Sequence, residues 1–179
     1  TRQQPAMSKS LILDWQKSSL MLAQAHGRSP KAVIDSIVIK PVGGAEVDSQ
    51  TAAEALRSAA QELSARGDVT VLLARELVEL RTVQFPKIDP DDLADVIRFQ
   101  AQRQFANMTE AWTLDYVVLP PSASSEMQTA LVAAVSPAQL AEIESACTSA
   151  GLQASRIALR PLQMAQMAVD GGLISSSGQ

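Results

Sequence analysis

Residues 11–23, LILDWQKSSLMLA, decide how the fold begins. Three apolar residues run into Asp14, a short polar turn follows, and apolar residues resume at Leu20. This pattern predicts two strands, 11–15 and 18–25, joined by a tight turn. A carboxylate at the end of a buried strand is a common place for metal-phosphate chemistry, and it is also where any strand meets water. The stretch therefore predicts a hairpin and leaves open whether that hairpin holds a phosphate.

The composition places the chain among globular proteins and excludes several function classes. The chain has 179 residues, 46% of them hydrophobic and 19% charged, which fits one domain or two small ones. The net charge of −4 and the lack of a basic cluster argue against binding of nucleic acid. A single cysteine allows no internal disulfide and favours a reducing compartment. No apolar run approaches the ~20 residues that span a bilayer.

Three further elements complete a first unit over residues 11–75. They are a β-branched strand, a helix and a uniformly apolar strand, over 32–40, 51–67 and 69–74. Thr51 and Glu54 have the spacing of a capping box, and Gly67 is a suitable residue for the end of the helix. The resulting order, βββαβ, is the opening order of ribonuclease-H-like and actin-like folds.

A second α/β unit is predicted over residues 76–136. Its elements are a strand, a helix, a strand and a strand, over 79–85, 89–106, 112–120 and 127–135. Asp89 is the predicted N-cap of the helix, with Pro90 at the first helical position. The predicted organisation has three further parts: a leader or expression-derived segment, a closing helix-strand-helix and a flexible tail, over 1–10, 137–170 and 171–179. Ser136, Pro137 and Gln139 start the closing helix.

Residue types that could carry chemistry are few. A phosphate-binding hairpin needs Gly where the backbone approaches the anion, and no Gly occurs between Asp14 and Ser18. Asp14 and Lys17 are therefore at most the remains of a nucleotide site, and a polar strand end is the favoured interpretation of Asp14. His26 is the only histidine, so no two-histidine metal motif exists, and no metal site is predicted. Cys147 lies on the apolar stripe of its helix and is predicted to be a core residue.

The 89–106 helix carries an aromatic residue away from its apolar stripe. Leu93, Ile97, Ala101 and Phe105 form that stripe at i, i+4 spacing. Phe99 lies outside it, on a side that includes Arg103, and Arg98 is nearby. The three side chains, Arg98, Phe99 and Arg103, are candidates for binding a partner. A singly exposed aromatic without a function, and packing between the two α/β units, remain alternatives.

A family resemblance is carried by residues 78–105, VELRTVQFPKIDPDDLADVIRFQAQRQF. It continues through WTLDYVVLP and TALVAAVSPAQLAEIESACTSAGLQASRIALRPL. The chain resembles the N-terminal part of PilM-type pilus assembly proteins, which are actin-like proteins related to the division protein FtsA. The resemblance implies the N-terminal half of an actin-like fold with an inserted strand-helix-strand-strand (SHS2-like) subdomain. It also implies that residues 1–179 are a piece of a longer protein.

The function implied by the resemblance is a cytoplasmic scaffold peripheral to the inner membrane, in type IV pilus or type II secretion assembly. Its partner would be the cytoplasmic tail of a PilN-type membrane protein, and self-association stays open. Typical members bind ATP through a hairpin of the form Asp-x-Gly-Ser/Thr, of which this chain matches only Asp14. No cofactor is therefore expected for these residues, with ATP and Mg²⁺ left open for a longer protein. The alternatives are the ATP-binding lobe of an actin-like ATPase and a stand-alone binding module unrelated to pili.

Overall fold

A computed structural model of the chain describes residues 9–27, 32–43, 49–120 and 127–170. The predicted tail at 171–179 and residues 1–8 of the predicted leader lie outside the described residues. The chain divides into two compact units. The first comprises Thr1–Glu76 and Glu142–Gln179, and the second comprises Leu77–Ala141.

The described ranges contain eight strands and four helices. In chain order these are β1 (Lys9–Trp15), β2 (Ser19–His26), β3 (Val33–Pro41), α1 (Ser49–Glu62), β4 (Gly67–Leu73), β5 (Glu79–Pro86), α2 (Leu93–Gln104), β6 (Thr113–Val118), β7 (Met127–Val135), α3 (Pro137–Ser149), β8 (Leu152–Leu159) and α4 (Arg160–Asp170). The predicted βββαβ order and the strand-helix-strand-strand order are both confirmed. β1 begins two residues earlier than the pattern predicted.

The first unit is built on a five-stranded sheet in the order β3-β2-β1-β4-β8. The three N-terminal strands form the predicted antiparallel meander, with Leu13 opposite Leu22 and Leu22 opposite Val38. β1, β4 and β8 run parallel to one another. Because parallel strands end at the same edge of a sheet, the carboxyl ends of β1 and β8 lie on one side of this unit.

Helix α1 packs against one face of the sheet, over β2 and β3. Its Ala52, Leu56 and Ala59 are fully buried, as are Leu13 and Leu22 of the sheet. The small side chains of Ala52 and Ala59, at helical spacing on this face, let the helix lie close to the strands. Beyond the end of α1, the Nε2 atom of Gln24 donates a 2.9 Å hydrogen bond to the carbonyl of Leu63. The buried side chains and this polar contact together fix α1 on that face.

The ends of α1 differ from the prediction. The helix begins at Ser49, so Thr51 lies inside it and the predicted capping box is wrong. It ends at Glu62, where the amide of Ala65 bonds the carbonyl of Ala60 at 2.8 Å and Ser64 takes a φ of 51°. This is a left-handed helix stop, made by Ser rather than by Gly. Gly67 instead opens β4.

The junction between β8 and α4 also differs from the prediction. The sequence predicts that the closing strand runs up to Pro161 and that the last helix begins after it. In the structure, β8 ends at Leu159 and α4 begins at Arg160, so Pro161 lies in the first helical turn. Proline is well suited to that position, because the first amides of a helix have no partner within it.

The second unit is a three-stranded antiparallel sheet, in the order β5-β7-β6, with α2 on one face. Its core consists of Val83, Phe85, Ile97, Ala101, Phe105, Ala130, Val132 and Ala134. The predicted N-cap is confirmed, since the Oδ1 atom of Asp89 accepts a 3.1 Å hydrogen bond from the amide of Asp91. A 3₁₀ turn over Pro90–Asp92 precedes the α-helix proper.

Helix α3 starts as the sequence predicts. The amide of Gln139 donates a 3.2 Å hydrogen bond to the Oγ atom of Ser136. Further along, Ile143, Ala146 and Cys147 are buried, which confirms Cys147 as a core residue. Burial raises the pKa of the Cys147 thiol to about 11, with a smaller contribution from the nearby charge of Glu144. The thiol therefore stays protonated and unreactive at neutral pH.

Candidate functional site

Asp14, at the end of β1, is a buried carboxylate with an arginine partner. The residue is only 4% exposed. Its Oδ2 atom accepts a 3.0 Å hydrogen bond from the Nη1 atom of Arg160 and a 2.9 Å bond from the Nε2 atom of Gln16. The Oδ1 atom is also buried and makes no hydrogen bond to any described residue. The strand end is thus enclosed and ion-paired, so the interpretation of Asp14 as a place where the strand meets water is wrong.

The sheet topology explains how Arg160 reaches Asp14. β1 and β8 are parallel strands with β4 between them, so the residues that follow them emerge at the same edge. Arg160 is the first residue of α4, directly after the last residue of β8. Sequence reasoning missed Arg160, which lies 146 positions from Asp14. The available signal was an arginine at the end of the predicted closing strand, but the sequence did not predict that this strand runs parallel to β1.

Backbone hydrogen bonds hold the turn after Asp14 in place. The amide of Gln16 bonds the carbonyl of Ser19 at 3.1 Å, and the amide of Val42 bonds the carbonyl of Ser18 at 2.9 Å. Lys17 is exposed at this turn and forms no hydrogen bond or ion pair with Asp14. The structure therefore does not bring the two predicted nucleotide-site residues together. Among the described residues, no group of three His, Cys, Asp or Glu side chains could hold a metal ion.

Phe99 and Arg103 form a pair on the outer side of α2. Phe99 is 58% exposed, which confirms that it lies off the apolar stripe. The Cζ atom of Arg103 lies 5.8 Å from the centroid of its ring, at the i, i+4 spacing of helix neighbours. A guanidinium at this distance is attracted to the ring face and limits the ring's freedom. The pair offers a flat apolar surface next to a positive charge.

Arg98 has a different task from its two neighbours. It is half-buried, and its Nη1 atom donates hydrogen bonds to the carbonyls of Glu110 and Trp112, at 3.4 and 3.3 Å. These bonds tie α2 to the segment that enters β6. Of the three predicted partner-binding residues, the structure brings together Phe99 and Arg103, and it engages Arg98 within the unit itself.

Comparison with known proteins shows which solved structures have a similar fold. No family model matches the chain, and no curated protein matches it. Among solved structures, a chain of the PilM-PilN type IV pilus biogenesis complex matches with a TM-score of 0.67 and 21% identity, over 85% of this chain and 47% of that one. This chain shares the fold of that matched chain. Its mixed α/β architecture with a five-stranded sheet is consistent with one half of an actin-like fold, as the sequence predicts.

A second solved structure agrees with the first. It is the cytoplasmic domain of EpsL, an inner-membrane component of the type II secretion system of Vibrio cholerae. It matches with a TM-score of 0.58 and 18% identity, over 85% of this chain and 57% of that one. The chain thus spans about half the length of the solved structures it matches. No helix in the described ranges is long and apolar enough to cross a bilayer.

Proposed function

We propose that the chain is a non-catalytic scaffold domain of a type IV pilus or type II secretion assembly platform. It binds the cytoplasmic tail of an inner-membrane protein and works in the cytoplasm, peripheral to that membrane. Two likenesses support this proposal: one matched chain comes from a PilM-PilN complex, and the other from a cytoplasmic domain of an inner-membrane component. The partner is accordingly a PilN-type protein.

We place the binding surface on the outer side of α2 because Phe99 is exposed there. Protein–protein binding usually depends on a few aromatic and arginine anchors, and Phe99 with Arg103 supplies one of each. Phe99 is not among the core residues of its unit, so the fold does not depend on it. A short apolar tail that packs on the ring, with an acidic or carbonyl group near Arg103, fits this surface.

The test uses a fluorescent peptide with the sequence of the cytoplasmic tail of the PilN-type protein from the same genome. Binding is measured by fluorescence polarisation. Phe99→Ala should weaken binding by ~1–3 kcal/mol, which is the usual range for an anchor. Val117→Ala is the matched control, because Val117 is 56% exposed in the same unit but belongs to β6. Equal binding by both variants would move the site off α2, and no binding by the wild-type chain would contradict the proposal.

We also propose that this chain does not bind ATP. The described residues do not fit a metal-bound phosphate, because the Arg160 guanidinium already neutralises Asp14 and the hairpin turn has no Gly. Titration calorimetry with Mg-ATP should give a flat curve. Saturable heat that Asp14→Asn removes would favour the rival function, the ATP-binding lobe of an actin-like ATPase. The same titration with a longer form of the protein tests whether additional residues complete a site.

A further inference from the structure

Strand β3 is an open edge of the first unit. It is nine residues long and lies at the end of the sheet, with β2 as its only neighbour among the described strands. Its outward backbone N–H and C=O groups are therefore available to another strand. Long edge strands of this kind pair readily with other chains unless they are protected by charges, proline or bulges.

The side chains of this edge strand are apolar and exposed. Val33, Ile34, Ile37 and Ile39 are 52%, 57%, 47% and 64% exposed. Ile37 lies opposite Ala23, and Ile39 opposite Met21, so both lie on the sheet face away from α1. A row of isoleucines on one open strand is unusual for a surface that faces only water.

The charges on β3 protect the edge poorly. Asp35 accepts from the Nδ1 atom of His26 at 2.6 Å, and Lys40 forms an ion pair with Glu62. Both charges are thus engaged within the unit. The sheet register shifts at Asp35, and Pro41 is the last residue of the strand. A bulge and a proline both disfavour pairing with another strand, so the two ends of β3 are protected. The segment between them, 36–40, remains able to pair.

We propose that this segment pairs with the same segment of a second copy of the chain, in an antiparallel arrangement about a two-fold axis at Val38. Such an axis joins the two sheets so that each face continues from one copy into the other. Each residue of the segment then lies opposite a partner residue on the same face. Ile37 then lies opposite the partner's Ile39, twice, on the face away from α1. On the other face, Ser36 lies opposite the partner's Lys40, where its hydroxyl can accept from the ammonium group.

The alternative centre, at Ile37, fits less well. It would place Lys40 opposite the partner's Ile34 and bring Asp35 next to the partner's Ile39. Both pairings set a charged side chain against an apolar one, and cross-strand pairs of this kind give no stabilisation. The axis at Val38 sets apolar against apolar and polar against polar. Segment 36–40 is therefore complementary to itself when the axis lies at Val38. This favours a second copy of the chain over an unrelated peptide as the partner strand.

A five-residue pairing is a small interface. Interfaces below about 1,200 Å² are typical of transient complexes. The dimer should therefore depend on concentration. This proposal does not depend on tail binding at α2, because β3 belongs to the other unit.

Sedimentation velocity on the 179-residue chain tests the dimer over a range of concentrations. The wild-type chain should shift from monomer to dimer as concentration rises. The double substitution Ile37→Lys with Ile39→Lys should raise the dissociation constant by a factor of about ten or more, since it sets lysines against one another. Val117→Lys is the control at an equally exposed position in β6 and should leave the dimer intact. Circular dichroism checks that all variants are folded.

A cysteine cross-link tests the register. Residues opposite each other in antiparallel strands have Cα atoms ~4.5–5.5 Å apart, within the range of a disulfide. Under mild oxidation, Val38→Cys should give a covalent dimer, because it faces its own copy. Ile34→Cys should not, because it would face residue 42 of the partner. The native Cys147 is buried and does not interfere.

Three results would overturn the proposal. One is a chain that stays monomeric at every concentration, and another is a dimer that survives the double lysine substitution. The third is cross-linking at Ile34→Cys without cross-linking at Val38→Cys. If the 179-residue chain is monomeric and a longer form of the protein shields Ile37→Cys from maleimide, the face belongs to the rest of the protein.

Discussion

Asp14 and Phe99, one from each unit, both have an exposure that is the reverse of what their polarity suggests. In the first unit a carboxylate, Asp14, is buried, and in the second an aromatic, Phe99, is exposed. Both have an arginine partner, Arg160 and Arg103 respectively. The difference lies in what the arginine does. Arg160 neutralises a charge that the fold has enclosed, whereas Arg103 only flanks a ring that the fold does not require. The buried Asp14 therefore contributes to the stability of the fold, and the exposed ring of Phe99 is available for binding.

The largest effect is expected from Arg160→Ala. It leaves the Asp14 carboxylate buried with Gln16 as its remaining partner, and breaking a buried ion pair in this way costs about 3–4 kcal/mol. Urea unfolding followed by tryptophan fluorescence measures the loss, since Trp15 is buried beside Asp14. The double variant Asp14→Asn with Arg160→Ala should recover much of the stability, because no charge is then left unpaired. If Arg160→Ala alone is as stable as wild type, the ion pair does not stabilise the first unit. The contrast drawn between Asp14 and Phe99 would then be wrong.

Ile97→Ala examines the opposite side of the helix that carries Phe99. Ile97 is fully buried against the three-stranded sheet, and its truncation should cost about 2–3 kcal/mol through lost contacts and a cavity. Hydrogen exchange should quicken in β5, β6 and β7. Unchanged exchange in β1, β2 and β4 would show that the units unfold separately. A uniform increase across both would mean that they unfold together.

Arg98→Ala should have an intermediate effect. It removes two hydrogen bonds to backbone carbonyls ahead of β6, which are worth about 1 kcal/mol together, given their length and the half-burial of the side chain. Thermal unfolding monitored by circular dichroism measures the change. Arg98→Gln, which keeps a shorter donor, serves as the control and should lose less. If Arg98→Ala leaves stability intact but weakens binding of the tail peptide, Arg98 belongs with Phe99 and Arg103 in the partner site.

The smallest effect is expected from Phe99→Ala. Substitution of an exposed side chain away from caps and networks changes stability by less than about 0.5 kcal/mol. The melting temperature should match that of wild type, in contrast to Ile97→Ala two positions earlier. A clear fall in melting temperature would show that Phe99 packs against protein, and the comparison between the two units would then fail.

The pattern of residues along the chain was sufficient for the order of elements. The alternating strands, the N-cap at Asp89, the Ser136 cap of α3 and the exposure of Phe99 all depend on local spacing, and all are confirmed. Helix ends were less predictable, because a stop can be made by any residue that tolerates a positive φ. Ser64 takes that conformation before Gly67 is reached.

The sequence by itself determined the strand and helix order and the outward position of Phe99, because both follow from periodicity within a few residues. Only the tertiary structure decided the state of Asp14, because its partner Arg160 arrives from the far end of the chain through two parallel strand pairings. The same holds for the open edge at β3: its branched residues predicted a strand, but which side of that strand stays unpaired depends on the order of the whole sheet. Spacing is local, whereas burial and pairing are set by contacts between segments that are distant in sequence.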